Sequence, residues 1–204
     1  EASDIQKDWF TDIFGLHFCS VSLGDFPMKE AHRQAIQYAA EAGALVSFDP
    51  NLRFALWEDT KALKRVVCEF APMAHVLKVS DEELEFITGC KDIKEALPQL
   101  LTGNTKLVIY TKGSDGAECY TRAACAFAPG EKVKAVDTTG AGDGFIGSFL
   151  YCLSADGVTA STLECLTEKK MQQYLVFANK FCGKSVMGHG AIASYPTMEE
   201  MDNT

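Results

Sequence analysis

The chain has 204 residues, of which 47% are hydrophobic and 23% are charged, and its formal net charge is −9. This balance is typical of a globular protein with its own core, and the length favours one domain spanning residues 1–204. The acidic charge and the scattered basic residues argue against a nucleic-acid binder, which needs a basic surface to neutralise phosphates. No apolar run reaches the ~18 residues of a membrane span, so we expect no membrane partner.

The chain contains eight cysteines, and their spacing bears on both metal binding and compartment. No two of them form a C-x-x-C pair, and no cysteine–histidine grouping has the spacing of a zinc site. Several lie in apolar stretches, where a thiol behaves as a small hydrophobic group. Since no secretory signal is visible either, the sequence predicts reduced cysteines and a cytoplasmic protein.

The first half of the chain alternates apolar runs with helical stretches. Gly43 follows the first helical stretch as a C-terminal cap, and Ser80 with Glu83 three residues later is typical of a capping box. The predicted strands cover residues 16–23, 44–48 and 75–79, and the predicted helices cover 28–42, 58–70 and a segment from Ser80 to Thr88.

The second half continues the alternation and adds a glycine-rich loop. A helix is predicted over 92–101, despite Pro98, and two more over 142–153 and 161–182. The predicted strands cover 106–111, 117–121 and 133–136, with a turn at 112–116. This alternation predicts an α/β fold with a mainly parallel sheet, whose ligands bind at the carboxyl ends of the strands.

The most informative segment is Asp137-Thr138-Thr139-Gly140-Ala141-Gly142-Asp143, which follows a predicted strand and opens a helix. Backbone N–H groups at a helix N-terminus favour an anion, and Asp143 adds a carboxylate in the first turn. Phosphoryl transfer to a hydroxyl needs both features, because the phosphate must be held and the hydroxyl proton must be accepted. The plainer alternative is a glycine-rich turn without a catalytic role.

Two other phosphate-binding motifs fail against the sequence. The dinucleotide fingerprint G-x-G-x-x-G would need glycine at Phe145, which argues against a nicotinamide-dependent oxidoreductase. The P-loop pattern would need glycine at Ala178, upstream of Gly183-Lys184-Ser185, and that segment ends a predicted helix.

The stretch from Asp137 to Asp143 resembles the C-terminal signature of the ribokinase-like, phosphofructokinase-B type sugar kinases. From about Leu16 to the end, further segments match that family in the same order. They are Asp49-Pro50-Asn51-Leu52-Arg53 with Leu56-Trp57, Lys78 to Gly89 around Ser80 and Glu83, Thr111-x-Gly113-x-x-Gly116, and Gly190-Ala191 followed by Pro196.

The resemblance implies a three-layer ribokinase-like fold whose N-terminal strands and β lid have no counterpart in this sequence. It also implies ATP-dependent phosphorylation of a sugar hydroxyl, with ATP, Mg²⁺ and, in some members, K⁺ as cofactors. The partners implied are a small sugar and ATP, with a homodimer for the full-length parent. The segment from Asp49 to Trp57 favours fructose, while ribose, 2-keto-3-deoxygluconate and a fragment that only binds nucleotide stay open.

Site roles follow from the resemblance for residues that match its motifs. Asp143 would be the general base, beside an anion hole formed by Gly140, Ala141 and Gly142. The nucleotide would contact Thr111, Gly113 and Gly116, with Asn179 bordering the adenine. Metal roles fall to Glu83, which would organise Mg²⁺ through water, and to Asp137 and Ser194, which would help to bind a monovalent cation.

Several of these residues also have plainer interpretations. Ser80 stands where most of the family has asparagine, a departure that fructokinases share, and Ser80 with Glu83 could be a capping box alone. Residues 111–116 could be an ordinary hairpin turn, and Asn179 an exposed helical residue. Asp49, Asn51 and Arg53 would face the site from a strand end, or Arg53 could pair with a structural carboxylate.

Overall fold

The computed structural model describes residues 1–202, and the strands in that range form a six-stranded, mostly parallel sheet in the order β1-β2-β3-β4-β5-β6. Strands β1 and β2 pair in parallel, as do β2 and β3, whereas β5 and β6 form an antiparallel hairpin. The strands are β1 Gly15–Cys19, β2 Leu45–Asp49, β3 Val76–Ser80, β4 Leu107–Thr111, β5 Ala117–Tyr120 and β6 Cys125–Ala128.

Helices alternate with the strands through most of the chain, which confirms the predicted α/β class. They are α1 Pro27–Glu41, α2 Thr60–Phe70, α3 Asp81–Thr88, α4 Ile93–Leu100, α5 Ala141–Ala155, α6 Glu168–Ser185 and α7 Met198–Asp202. Within residues 1–202, none of the helices has both the length and the apolar composition needed to cross a bilayer.

The chain divides into two compact units, residues 1–110 with 159–165 and residues 111–158 with the chain from Leu166 onward. In the first unit every residue of β2 is buried, as in parallel strands that are covered on both faces. Phe18 stacks on Phe48 with ring centroids 4.5 Å apart. Helix α2 begins after Asp59, whose carboxylate caps it, and buries Leu63, Val66, Val67 and Phe70, one face of a helix.

The second unit is built from the β5–β6 hairpin and two long helices. Phe149 of α5 meets Tyr174 of α6 edge to face at 5.7 Å, and Leu153 and Leu175 are fully buried. Thr167 begins α6 by accepting a hydrogen bond from the Lys170 N–H. This cap explains why the helix predicted over 161–182 starts only at Glu168.

Two strand predictions need correction. Strand β1 ends at Cys19 rather than at Leu23, because the Leu23 N–H bonds back to the Ser20 carbonyl and closes a turn. Residues 133–136 form no strand: the Val136 N–H donates to the Val186 carbonyl, 2.7 Å away. The missed strand is β6, whose alternating burial marks one face toward the core.

Candidate active site

The segment from Asp137 to Gly142, here called the glycine loop, leads into α5. At Gly140 its backbone has a conformation that only glycine adopts easily. Gly140 is the N-cap of α5 and has a φ of 76°, in the left-handed region. A Cβ on this residue would lie 2.6 Å from the Ala191 Cβ and 3.0 Å from the Tyr195 hydroxyl oxygen. Both backbone strain and lack of space therefore require glycine here.

Hydrogen bonds in the loop decide which N–H groups can meet an anion. The Ala141 N–H donates to the Thr138 carbonyl at 3.1 Å, and the Gly144 N–H donates to the Gly140 carbonyl at 2.8 Å. Gly142 lies between them, in the first turn, where helix geometry leaves N–H groups without an intrahelical carbonyl. The loop thus resembles an anion cradle centred on Gly142, and the place of Ala141 in an anion hole stays a prediction.

Asp143 is an exposed residue in the first turn of α5. The pKa of the Tyr195 hydroxyl, in the segment that follows α6, is raised by burial and, second, by repulsion from the negative charge of Asp143. The Asp143 carboxylate therefore lies at the helix N-terminus and near enough to Tyr195 for its charge to act on that hydroxyl, and its role as a general base stays a prediction.

Asp137 and Ser194 meet around Gly190. The two carboxylate oxygens of Asp137 accept the N–H groups of Thr139 and Gly190, each at 2.9 Å. Hydrogen bonds from the Thr139 hydroxyl and from these two N–H groups lower the pKa of Asp137 to about 2. The Ser194 hydroxyl donates to the carbonyls of Gly190 and Ala191 at 2.6 and 2.9 Å. Carboxylate, carbonyl and hydroxyl oxygens are suitable ligands for a hard cation, so this donor set fits one.

The predicted nucleotide loop is a tight turn between β4 and β5. Thr111 ends β4, and the Lys112 N–H donates to the Gly116 carbonyl at 2.8 Å. Gly113 and Gly116 have φ values of 51° and 101°. A Cβ on Gly116 would lie 2.2 Å from the Ala128 carbonyl oxygen. The loop is therefore shaped by a hairpin-type turn, and its contact with a nucleotide stays a prediction.

Asn179 reaches the same segment from α6. It is only 6% exposed, so the alternative of an exposed helical asparagine is wrong. Its amide nitrogen donates to the carbonyls of Ala128 and Pro129 at 3.0 and 2.9 Å. The structure thus brings Asn179 and the Gly116 turn together at the end of β6.

Glu83, in the first unit, holds two backbone segments at once. One carboxylate oxygen accepts the Ser80 N–H at 2.9 Å, which confirms the capping box. The other accepts the Leu52 N–H at 2.9 Å and so fixes the loop after β2. A carboxylate has about four acceptor positions, so Glu83 could still accept bonds from metal-bound waters.

The loop after β2 begins at a buried ion pair that the sequence did not reveal. Asp49 and Lys78 approach to 2.7 Å and are 2% and 5% exposed. Asn51 has a φ of 47°, and Arg53 is exposed. The available signal for the pair was a lysine inside one apolar strand and an aspartate at the end of the preceding one.

Residues 2–198 match the pfkB family of carbohydrate kinases. The chain belongs to that family. The match begins well before Leu16, where the sequence resemblance was expected to start. A pfkB-family assignment also agrees with the mostly parallel sheet and with the glycine loop that opens α5.

Several named proteins and solved structures to which the chain is similar are fructokinases. The chain is 38% identical over 196 residues to a probable fructokinase-5 of Arabidopsis thaliana, covering 96% of this chain and 59% of that protein. The ATP-bound fructokinase of Xylella fastidiosa has a TM-score of 0.92 at 28% identity, over the whole chain and 64% of that protein. The fructokinase of Vibrio cholerae O395 with fructose, ADP and calcium has a TM-score of 0.85 at 33% identity, over the whole chain and 63% of that protein. This pfkB-family chain therefore spans about 60% of the length of these relatives.

Proposed function

We propose that this chain is the nucleotide-binding and phosphoryl-transferring part of a sugar kinase that acts on fructose. The observation that carries the proposal is the placement of Asp143 in the first turn of α5, three residues after the left-handed Gly140 that begins the helix. A base thereby adjoins a helix N-terminus that favours anions. Fructose as the acceptor is supported by the fructokinase relatives and by the fructose and ADP bound to the Vibrio cholerae neighbour.

In the proposed reaction Asp143 accepts the proton of the sugar hydroxyl. The hydroxyl oxygen then forms a bond to the γ-phosphorus of ATP, and the bond from that phosphorus to the β–γ bridging oxygen breaks, releasing ADP. Because the transition state is loose, positioning and charge stabilisation supply most of the rate. The Gly142 N–H and the dipole of α5 stabilise charge on the transferred group.

The remaining predicted residues would hold the nucleotide and the cations. Thr111, Gly113 and Gly116 would contact the phosphates and the ribose, and Asn179 would border the adenine. Bound Mg²⁺ would neutralise phosphate charge, held through waters on Glu83. A monovalent cation such as K⁺ would fit the oxygens around Asp137 and Ser194.

Replacing Asp143 by asparagine tests this proposal. In Asp143→Asn we expect fructose phosphorylation to fall by about 10²–10⁴-fold, because the proton acceptor is lost. The dissociation constant for Mg-ATP, measured by calorimetry, should stay within about twofold, because binding does not need the base. Glu168→Gln, which removes an exposed carboxylate from the first turn of α6, is the matched control and should change neither quantity.

The outcomes separate the candidate functions. Full turnover in Asp143→Asn would show that Asp143 is not the general base. Mg-ATP binding without any turnover in the unaltered chain would favour the narrower function of nucleotide binding, which the partial coverage of the relatives also allows. Absence of nucleotide binding from a folded sample would refute both.

A further inference from the structure

The segment from Gly190 to Tyr195, here called the closing segment, is bound to the glycine loop at both of its ends. The Gly190 N–H donates to the Asp137 carboxylate at 2.9 Å. The Tyr195 hydroxyl donates to the Gly140 carbonyl at 2.7 Å. Between these bonds the Ala191 side chain fills the space beside Gly140. The closing segment therefore touches the loop at the residue where α5 begins.

The Gly140 carbonyl accepts two hydrogen bonds. One comes from the Gly144 N–H inside the helix at 2.8 Å, and the other comes from the Tyr195 hydroxyl. A carbonyl oxygen has two lone pairs, so both are used. This carbonyl belongs to the peptide that joins Gly140 to Ala141. Rotation of that peptide would redirect the first turn of α5, and it would break both bonds.

The ring of Tyr195 is itself held in place, so its hydroxyl has a fixed direction. It packs edge to face on Phe181 with centroids 5.3 Å apart, and its Cε1 lies 3.2 Å from the position of a Cβ on Gly144. The backbone of Tyr195 is extended, with φ −67° and ψ 131°, as a residue before proline prefers. Pro196 thus favours the conformation that aims the hydroxyl.

We propose that Tyr195 is a positioning residue, whose hydroxyl orients the Gly140 peptide so that Gly142 and the start of α5 face the transferred phosphate. The proposal rests on the phosphoryl-transfer function proposed above. Tyr195 acts through Gly140 and touches no reacting atom. The hydrogen bond from Tyr195 is needed because glycine has more conformational freedom than other residues, and Gly140 without a restraint would sample several conformations.

Tyr195→Phe removes the hydroxyl and keeps the ring on Phe181. We expect Mg-ATP to bind about threefold to tenfold more weakly, the range that one lost hydrogen bond supports. Adenosine, which has no phosphate, should bind with unchanged affinity. Tyr151→Phe is the matched control, because Tyr151 lies further along α5, is half-exposed and stacks on Phe177. It should affect neither ligand.

Each outcome decides the proposal. Selective loss of Mg-ATP affinity, with faster amide exchange confined to residues 138–144, supports it. Equal weakening of adenosine and Mg-ATP, or a Tyr195→Phe chain that does not fold, would show a general structural role and overturn it. Unchanged Mg-ATP binding in Tyr195→Phe overturns the role of Tyr195 and leaves the proposed function standing. Failure of the unaltered chain to bind Mg-ATP overturns both.

Discussion

The two units hold their predicted site residues by different means. In the first unit the restraints are buried charges: Asp49 pairs with Lys78, and Glu83 binds two backbone N–H groups. In the second unit Gly140 is restrained by close packing and by the neutral donor Tyr195, and the charge that binds backbone N–H groups there, on Asp137, is only part-buried. Loops of similar predicted function can thus be shaped either by charge or by steric fit.

The difference predicts opposite sensitivities. A buried charge that loses its partner is left without solvation, so the first unit should respond most strongly to removal of a side-chain group. A left-handed glycine in close contact leaves no room for a Cβ, so the second unit should respond most strongly to addition of a methyl group. Three substitutions test this comparison, in order of decreasing expected effect.

Lys78→Met should have the largest effect on stability. It leaves the Asp49 carboxylate buried without its ammonium partner at 2.7 Å. We expect the free energy of unfolding to fall by about 3–5 kcal/mol, measured by urea denaturation. Lys7→Met breaks an exposed ion pair with Glu41, whose side chains are 64% and 41% exposed, and should cost less than about 1 kcal/mol. Similar small losses in both variants would mean that the buried charges do not restrain the first unit.

Gly140→Ala should have an intermediate effect in the second unit. The added methyl group must accept a φ of 76° and approach the Ala191 Cβ to 2.6 Å. We expect a loss of about 1–3 kcal/mol in unfolding free energy, together with weaker Mg-ATP binding in calorimetry. Gly147→Ala is the control, because within residues 1–202 no heavy atom beyond its own helix backbone and chain neighbours lies within 4 Å of a Cβ there, and the residue lies inside α5. That variant should gain about 0.5–1 kcal/mol. A loss at Gly147 equal to that at Gly140 would contradict the steric argument.

Much of the fold could be predicted because its signals are local. The capping box at Ser80, the C-terminal glycine at Gly43 and the glycine loop before α5 depend on residues that are neighbours in the chain. The resemblance to the family added that its motifs occur in the same order along this chain. The prediction of a strand over residues 133–136 was wrong, because strand propensity depends on context. The Val136 N–H donates instead to the Val186 carbonyl.

The partners of the site residues could not be predicted, because they lie far away in sequence. Glu83 binds Leu52 at a separation of 31 residues, and Tyr195 binds Gly140 at a separation of 55. Periodicity reports which face of an element is buried but not which distant backbone atom a side chain meets. The sequence thus identified Asp143 and Gly140 as candidates but not the tyrosine that holds the loop.

The smallest expected effect belongs to Asp156, an exposed charge in the second unit. Its carboxylate accepts hydrogen bonds from the Lys170 ammonium at 2.7 Å and the Tyr174 hydroxyl at 2.5 Å, which join the end of α5 to α6. These bonds lower the pKa of Asp156. The stabilisation is therefore present above the ordinary aspartate pKa of about 3.9 and is lost as the pH falls through the lower folded-state pKa.

Asp156→Asn should therefore unfold at a slightly lower temperature than the unaltered chain at pH 7, and the gap should begin to shrink as the pH falls below about 4. Thermal unfolding between pH 7 and pH 3 measures it, and 0.5 M salt is the control, because salt should shrink the gap at pH 7 by screening the exposed pair. A gap as large as that of Lys78→Met, or one that does not shrink between pH 4 and pH 3, would contradict the comparison. The second unit would then also depend on charge, and its sensitivity to an added methyl group at Gly140 would no longer set it apart.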